Sequence, residues 1–301
     1  MPSRPPTRPS SSPPSPGPEG RAAVTVGELV RAARRRLPAA LAGEAELLVA
    51  AALGTGRAQV MAFPERTVDA AAARRCLEWI ARRAAGAPLA YLTGVREFHG
   101  LALEVTPATL VPRPETELLV EAALARLPAG RPARVADLGT GCGAVALAIA
   151  RARPETEVLA TDRSAAALEV ARRNAARLGF AHVRFRRGGW CAALAGEPPF
   201  DLIVSNPPYV PEGDAALEAD GVRAEPREAL AAGPDGLDAI RAIARCAPRH
   251  LRPGGWLLLE HGAAQGAAVR GLLQAEGLEA VETLRDLAGH ERVTGGRRPP
   301  A

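Results

Sequence analysis

Arg134-Val135-Ala136-Asp137-Leu138-Gly139-Thr140-Gly141-Cys142-Gly143-Ala144-Val145 passes from a short apolar run, through three glycines, into an Ala-rich segment. Arg134–Leu138 has the length of a buried strand, and Ala144–Arg153 has the apolar spacing of a helix. The glycines permit a tight turn and let a ligand approach the backbone, and a helix N-terminus favours polar or anionic groups. Gly139, Gly141 and Ala144 satisfy the G-x-G-x-x-A variant of the dinucleotide fingerprint, which is a weak signal by itself. The same alternation continues downstream. Val158–Thr161 reads as a second strand, followed by a helix over Ala165–Leu178. Val183–Arg186 reads as a third strand and Phe200–Ser205 as a fourth. Leu237–Leu251 is helical, and Gly255–Leu259 is an apolar strand after the turn Pro253-Gly254. Strands alternating with helices of this length predict an α/β fold with a parallel sheet covered on both faces.

Upstream the pattern changes. Residues 1–23 are rich in Pro and Ser, lack the apolar core of a signal peptide, and are expected to be a disordered tail. Residues 24–87 read as a small all-helical domain. Thr25 is placed to cap Val26–Arg36, Glu44–Leu53 is Ala/Leu-rich, and Val68–Ala85 carries apolar residues at helical spacing. Residues 88–109, punctuated by Gly94, Gly100 and Pro107, read as a β-ribbon or linker. Residues 110–296 form the α/β domain, and 297–301 a short tail.

Composition narrows the class. The chain has 301 residues, 47% hydrophobic but only 3% aromatic, so Leu, Val and Ala must do most of the packing. The net charge of +5 comes entirely from Arg, because the chain has no Lys. A GC-rich coding bias accounts for that as readily as a basic face for RNA, so charge alone does not imply nucleic-acid binding. Cys76, Cys142, Cys191 and Cys246 form no C-x-x-C pair. Neither a zinc site nor a disulfide framework is expected, no metal is implied, and a reducing cytoplasm fits. No apolar run approaches the roughly 20 residues needed to span a bilayer. A soluble cytoplasmic protein is expected.

Three strand ends carry the chemistry. Asp162 follows the second strand, 19 residues beyond Gly143, where a carboxylate can take both hydroxyls of a ribose. Asp137, at the tip of the first strand, would oppose a pyrophosphate but suits a ligand bearing an ammonium and a sulfonium. The fourth strand runs into Asn206-Pro207-Pro208-Tyr209. Asn occurs only at 174 and 206, and one of the two Tyr closes this tetrapeptide. Asn206 offers an amide acceptor, the prolines present carbonyls in a rigid turn, and Tyr209 offers a flat face. Together they make a clamp for a planar –NH2 group. Ligands of open α/β sheets bind beyond the carboxyl ends of the strands, so all three groups should open onto one edge.

With these residues in view, the chain resembles class I methyltransferases that modify planar nitrogens. Four further stretches narrow the resemblance: Pro88–Gly94, Arg96-Glu97-Phe98, Leu110–Glu117 and Leu258-Leu259-Glu260-His261-Gly262. Over residues 24–296 the sequence is similar to the release factor glutamine methyltransferases of the PrmC/HemK type. The resemblance implies a Rossmann-like, seven-stranded, mostly parallel sheet behind a helical substrate-recognition domain, and S-adenosyl-L-methionine as cofactor. It implies cofactor contacts from Asp137, Gly139, Thr140, Gly141, Cys142, Gly143, Asp162, Trp190 and Asn206. Asn206, Pro207, Pro208 and Tyr209 become both catalytic and substrate-binding. The acceptor is the side-chain amide nitrogen of the Gly-Gly-Gln glutamine in class I peptide chain release factors, with no membrane and no direct nucleic-acid binding. An amide nitrogen is a poor nucleophile. The Asn206 oxygen and the Pro207 carbonyl would each accept one N–H and aim its lone pair, while Tyr209 holds the amide flat, so positioning supplies most of the gain.

One position departs from the family. Asp usually precedes the aromatic residue after the third strand, where it can hold the adenine amino group, and this chain has Gly189 before Trp190. Losing such a hydrogen bond costs about 1 kcal/mol, which weakens a cofactor site without abolishing it. His99, His182, His250 and His290 are scattered and read as surface or packing residues, and His261 is at most a pocket wall. Arg113, Glu115 and Glu117 alternate with prolines, either as a solvated turn or as a loop near the site mouth. The alternatives are a nucleic-acid N-methyltransferase (adenine N6 or guanine N2), a ribosomal-protein glutamine methyltransferase, or an inactive cofactor-binding module.

Overall fold

The computed structural model describes residues 24–301, so the 1–23 tail lies outside the described residues. Two compact units divide between Ala84 and Ala85. The described part of the first unit holds helices α1 Val26–Arg36, α2 Ala45–Leu53, α3 Arg57–Ala62 and α4 Ala70–Ala84. Thr25 caps α1 reciprocally: its hydroxyl accepts the Glu28 N–H at 3.3 Å, and the Glu28 carboxylate accepts the Thr25 N–H at 2.8 Å. Leu29, Ala33, Leu48, Val49, Cys76 and Ile80 form its buried interior. The sequence reading did not resolve α3, whose six residues bury only Val60 and so show no period.

The second unit opens with α5 Leu89–Thr93 and an antiparallel hairpin of β1 Val95–Phe98 and β2 Leu101–Glu104. The α/β part then runs α6 Glu117–Arg126, β3 Arg134–Leu138, α7 Ala144–Ala152, β4 Glu157–Asp162, α8 Ala165–Leu178, β5 Arg184–Arg187 and β6 Phe200–Ser205. It closes with α9 Asp238–Cys246, β7 Leu251–Glu260, α10 Gly266–Ala275, β8 Glu279–Arg285 and β9 Glu291–Arg297. Seven of these strands form one sheet in the order β5-β4-β3-β6-β7-β9-β8, parallel except at β9, which runs antiparallel to both of its neighbours. The class expected from the sequence is the one observed.

The pleat explains why the central strands read as continuous apolar runs. Val135, Leu202, Val204 and Leu258 pack on one side with residues of α6, α7 and α8. Ala136, Ile203, Leu257 and Leu259 pack on the other with α9 and α10. Successive side chains alternate between two buried faces, so no polar alternation survives. The chain moves outward from β3 to β5, then returns to place β6 on the other flank of β3. That reversal opens a crevice beyond the carboxyl ends of β3 and β6.

Two expectations need correction. The helix expected over Leu237–Leu251 ends at Cys246, and Ala247–His250 is a 3₁₀ turn with Pro248 near its start. Proline lacks the N–H that an α-helix requires and crowds the preceding turn. The expectation of no disulfide is also overturned, because Cys191 and Cys246 are joined, with Cα atoms 6.0 Å apart. Their separation of 55 residues hid the meeting of the turn after β5 with the end of α9. Cys76 and Cys142 are buried thiols. Among the described residues no helix is long and apolar enough to cross a membrane.

Candidate functional site

A cavity of about 390 Å³ lies at the carboxyl ends of β3, β4 and β6. Asp137, Gly139, Thr140, Gly141, Cys142, Asp162, Trp190, Asn206 and Pro208 all line it, as do Gly189 and Thr116. Gly143, Pro207 and Tyr209, expected alongside them, do not. Gly143 serves as the N-cap of α7 with φ 90°, Pro207 is buried, and the Tyr209 hydroxyl is engaged behind the wall.

The glycine turn is shaped by its backbone. Gly139 and Gly141 have φ of 75° and 57°, left-handed values that disfavour any side chain. A Cβ on Gly139 would come within 3.3 Å of the Trp190 ring, so the indole lies directly against the turn. The Gly139 and Thr140 N–H groups both donate to the Thr161 carbonyl at 2.8 Å. Asp162 stitches the same turn: one oxygen accepts the Gly141 N–H and the other the Ser164 N–H, each at 2.9 Å. Asn174, the second of the two asparagines, donates to the Cys142 carbonyl at 3.0 Å and to the Glu104 carbonyl at 2.9 Å.

Asp137 is 2% exposed. Its Oδ2 accepts from the Thr140 hydroxyl at 2.6 Å and from the Ala146 N–H at 3.2 Å. Burial pushes its carboxyl up to about 7 and the Asp162 charge adds to that, against the Thr140 and Ala146 donors.

At the end of β6, Asn206 donates from Nδ2 to the Thr116 hydroxyl at 3.1 Å, which leaves Oδ1 as the end of the amide that Thr116 does not engage. Tyr209 donates its hydroxyl to Glu260 Oε1 at 3.3 Å. Its carbonyl accepts from Gln265 Nε2 at 3.0 Å. Gly236 passes so close that a Cβ there would lie 2.2 Å from that carbonyl. The prolines fix the turn and these contacts fix its exit.

Several supporting residues escaped the sequence reading. Glu225 is 6% exposed, accepts the Val111 N–H at 3.0 Å and pairs with Arg113. The 110–117 segment is therefore pinned rather than a solvated turn. Its Glu117 accepts the His99 N–H at 3.0 Å. Thr116 and Glu260 were legible only as parts of motifs, with no separate signal of their role. His261 lines no part of the cavity: its ring is fully buried against Thr294, 2.7 Å away on β9. Gly189 lines the cavity with nothing within 4 Å of the position a Cβ would take.

The donor set fits S-adenosylmethionine. A buried carboxylate, Asp137, opposes positive charge, Asp162 suits a diol, a bare glycine turn admits close approach, and Trp190 offers an apolar face beside it. A dinucleotide pyrophosphate would meet Asp137 unfavourably.

Comparison with known proteins bears on the same residues. The PrmC N-terminal domain family matches residues 28–94, and the Methyltransferase small domain family matches residues 114–223. A release factor glutamine methyltransferase of Xylella fastidiosa (strain Temecula1) is 54% identical over 256 residues, spanning 85% of this chain and 93% of that one. Its namesake in Pseudomonas aeruginosa is 54% identical over 254 residues, spanning 84% and 91%. The solved 16S rRNA N2 G1207 methyltransferase of T. thermophilus, in complex with AdoMet and guanosine, superposes with a TM-score of 0.50 at 24% identity. That match covers 68% of this chain and 49% of that one, and it is a likeness of fold.

Proposed function

The chain belongs to the release factor glutamine methyltransferases, and on that premise we propose that it methylates the side-chain amide nitrogen of the Gly-Gly-Gln glutamine in class I release factors, with S-adenosylmethionine as donor. The observation that carries the reading is Asn206. It lines the same cavity as Asp137 and Asp162, and its Nδ2 is already engaged by Thr116.

Asp137, Asp162, Trp190 and the 139–143 turn would hold the cofactor, which when bound supplies an electrophilic methyl group on a sulfonium. The rest of the work falls to the protein. Asn206 Oδ1 accepts one amide N–H and turns the nitrogen lone pair toward the cavity, while Pro207, buried behind the wall, fixes the turn that carries Asn206. Tyr209, which does not line the cavity, would hold the exit of that turn in place through the bond of its hydroxyl to Glu260. No strong base is needed before transfer, since orientation alone can supply several kcal/mol, and the surplus proton leaves afterwards. The helical unit would select the protein substrate, so deleting residues 1–84 should spare cofactor binding and damage activity on the release factor. A cytoplasmic location follows from this substrate.

The test is transfer of labelled methyl to a purified class I release factor, beside the same factor with its Gly-Gly-Gln glutamine replaced and an adenine-rich oligonucleotide. Label on the intact factor alone supports the proposal. Label on the oligonucleotide would replace the substrate with a nucleic acid, and label on the glutamine-replaced factor would move the acceptor elsewhere.

A further inference from the structure

Every residue lining the cavity belongs to the second unit, so the helical unit has no part in its wall. The helical unit nevertheless carries a surface that its own folding does not explain. Each residue from Met61 to Thr67 is exposed, and within α3 only Val60 is buried. Met61 is 63% exposed and Phe63 53%. Such side chains are scarce here. The chain has five Phe, and Met61 is its only methionine after the first residue. Phe98 and Phe200 are fully buried, and Phe180 and Phe185 pack against the core of the second unit. Of the five, Phe63 alone is left exposed.

The segment that carries this pair is fastened at its base. The Pro64 carbonyl accepts the Gly27 N–H at 2.7 Å, and the Arg66 carbonyl accepts the Val26 N–H at 2.9 Å. Just beyond, Thr67 pairs with Thr25, and the Val68 N–H donates to the Val24 carbonyl at 2.8 Å. A Cβ on Gly27 would come within 3.1 Å of the Pro64 oxygen, so α1 and this segment meet backbone to backbone. Met61 and Phe63 are thus presented on an ordered hook, with little backbone freedom left to lose on contact. A single exposed apolar side chain is ordinary. Two large ones on a preordered segment are the pattern of interface anchors.

Charge indicates what kind of surface meets them. Arg57 and Arg66 bracket the pair, are both exposed, and form no ion pair among the described residues. Against them the segment sets the one carboxylate of Glu65, so the hook is apolar with a positive border. A Gly-Gly-Gln glutamine arrives as part of a protein, and a cavity of about 390 Å³ takes only the loop that bears it. The remainder of that protein must find its contacts elsewhere. We propose that residues 57–66 are a docking hook for the release factor: Met61 and Phe63 enter an apolar groove with an acidic edge, and Arg57 and Arg66 pair with that edge. This rests on the reading of the release factor as substrate. The hook contributes to capture and not to chemistry, because none of its residues lines the cavity.

Two substrates separate capture from chemistry: the intact release factor, and a short peptide bearing its Gly-Gly-Gln motif, too small to engage a second surface. At saturating S-adenosylmethionine, Phe63→Ser and Met61→Ser should each raise KM for the intact factor about tenfold or more, as for a lost interface anchor, with kcat within about twofold. Transfer to the peptide should be the same in both variants as in the wild type, which also shows that they fold. Arg57→Glu combined with Arg66→Glu should raise the same KM. Added salt should raise the wild-type KM more than that of this double variant. The inference is overturned if Phe63→Ser leaves KM for the intact factor unchanged, or impairs factor and peptide alike. It is also overturned if the wild-type protein sediments as a dimer and Phe63→Ser as a monomer, since a second copy would then occupy the hook. Absence of transfer by the wild-type protein to either substrate would instead count against the functional reading. Direct binding of the factor, measured by biolayer interferometry, would then decide: binding lost in Phe63→Ser upholds the hook, and equal binding or none overturns it.

Discussion

Strands β3 and β7 each carry a carboxylate with almost no access to solvent near their carboxyl end, Asp137 and Glu260, and burial pushes both up to about 7. Their surroundings differ. Asp137 lines the cavity and has two donors on one oxygen, so a bound cation can meet its charge directly. Glu260 stands behind the wall, where one oxygen accepts the Tyr209 hydroxyl and the other is unpartnered. The same shift thus arises in two settings, one facing the cavity and one behind the turn that carries Asn206. Burial alone does not assign a role. What lies between the carboxylate and the cavity does.

The sharpest way to separate the cofactor and acceptor halves of the site is Asn206→Ala. It should lower methyl transfer by about 10²–10³-fold, the range for loss of a preorganised polar group. Equilibrium dialysis should find cofactor affinity changed far less. Equal losses in both would erase the distinction between the halves. Next, Asp137→Asn should weaken S-adenosylmethionine binding about 10–100-fold, as for a hydrogen bond to a charged group. The sign with pH follows: below about 7 the wild-type carboxyl must lose its proton before it can oppose the cofactor's charge, so affinity falls as pH drops. Titration calorimetry across that range should show the slope in the wild-type protein and none in Asp137→Asn.

Stability without ligand offers a further break. Both carboxyls bind protons more tightly in the folded chain than in the unfolded one. The stability they confer is complete below the ordinary carboxylate range and is lost as pH rises through about 7. Glu197, held down to about 2 chiefly by Arg184, acts in the opposite sense, but only as pH falls below the ordinary carboxylate range. Half-buried His250 and buried His261, held down by desolvation, contribute stability that grows as pH rises through the same window, so the carboxyls are read by difference. From pH 5 to 8 the apo melting temperature of the wild type should fall relative to that of Asp137→Asn or Glu260→Gln. A smaller effect is expected at Gly189. The open space there accepts a side chain, so Gly189→Asp should strengthen cofactor binding about fivefold by restoring one hydrogen bond. The smallest concerns Cys191–Cys246, which ties the turn bearing Trp190 to the end of α9. Trp190 is also held against Gly139, so reduction should shift cofactor affinity by only about twofold, read by quenching of its fluorescence.

What the sequence disclosed depended on how local the signal was. The glycine turn, Asp137, Asp162 and Asn206 were legible because each lies at a strand end, and topology carries strand ends to one edge. The scarcity of asparagine singled out Asn206, and the same signal applied to Asn174, whose role under the glycine turn went unread. Thr116, Glu225 and Glu260 were out of reach. Their importance lies in partners 90, 114 and 51 residues away. The disulfide was hidden for the same reason. Pro248 could have ended the α9 helix on local grounds, since a proline there interrupts the backbone bonding.

The most direct test of the whole account is fragmentation mass spectrometry of the Gly-Gly-Gln peptide, recovered from a release factor incubated with this protein and S-adenosylmethionine. One methyl group on the glutamine side-chain nitrogen is the predicted result. A methyl group on another residue, or an unmodified peptide beside a methylated oligonucleotide, would contradict it.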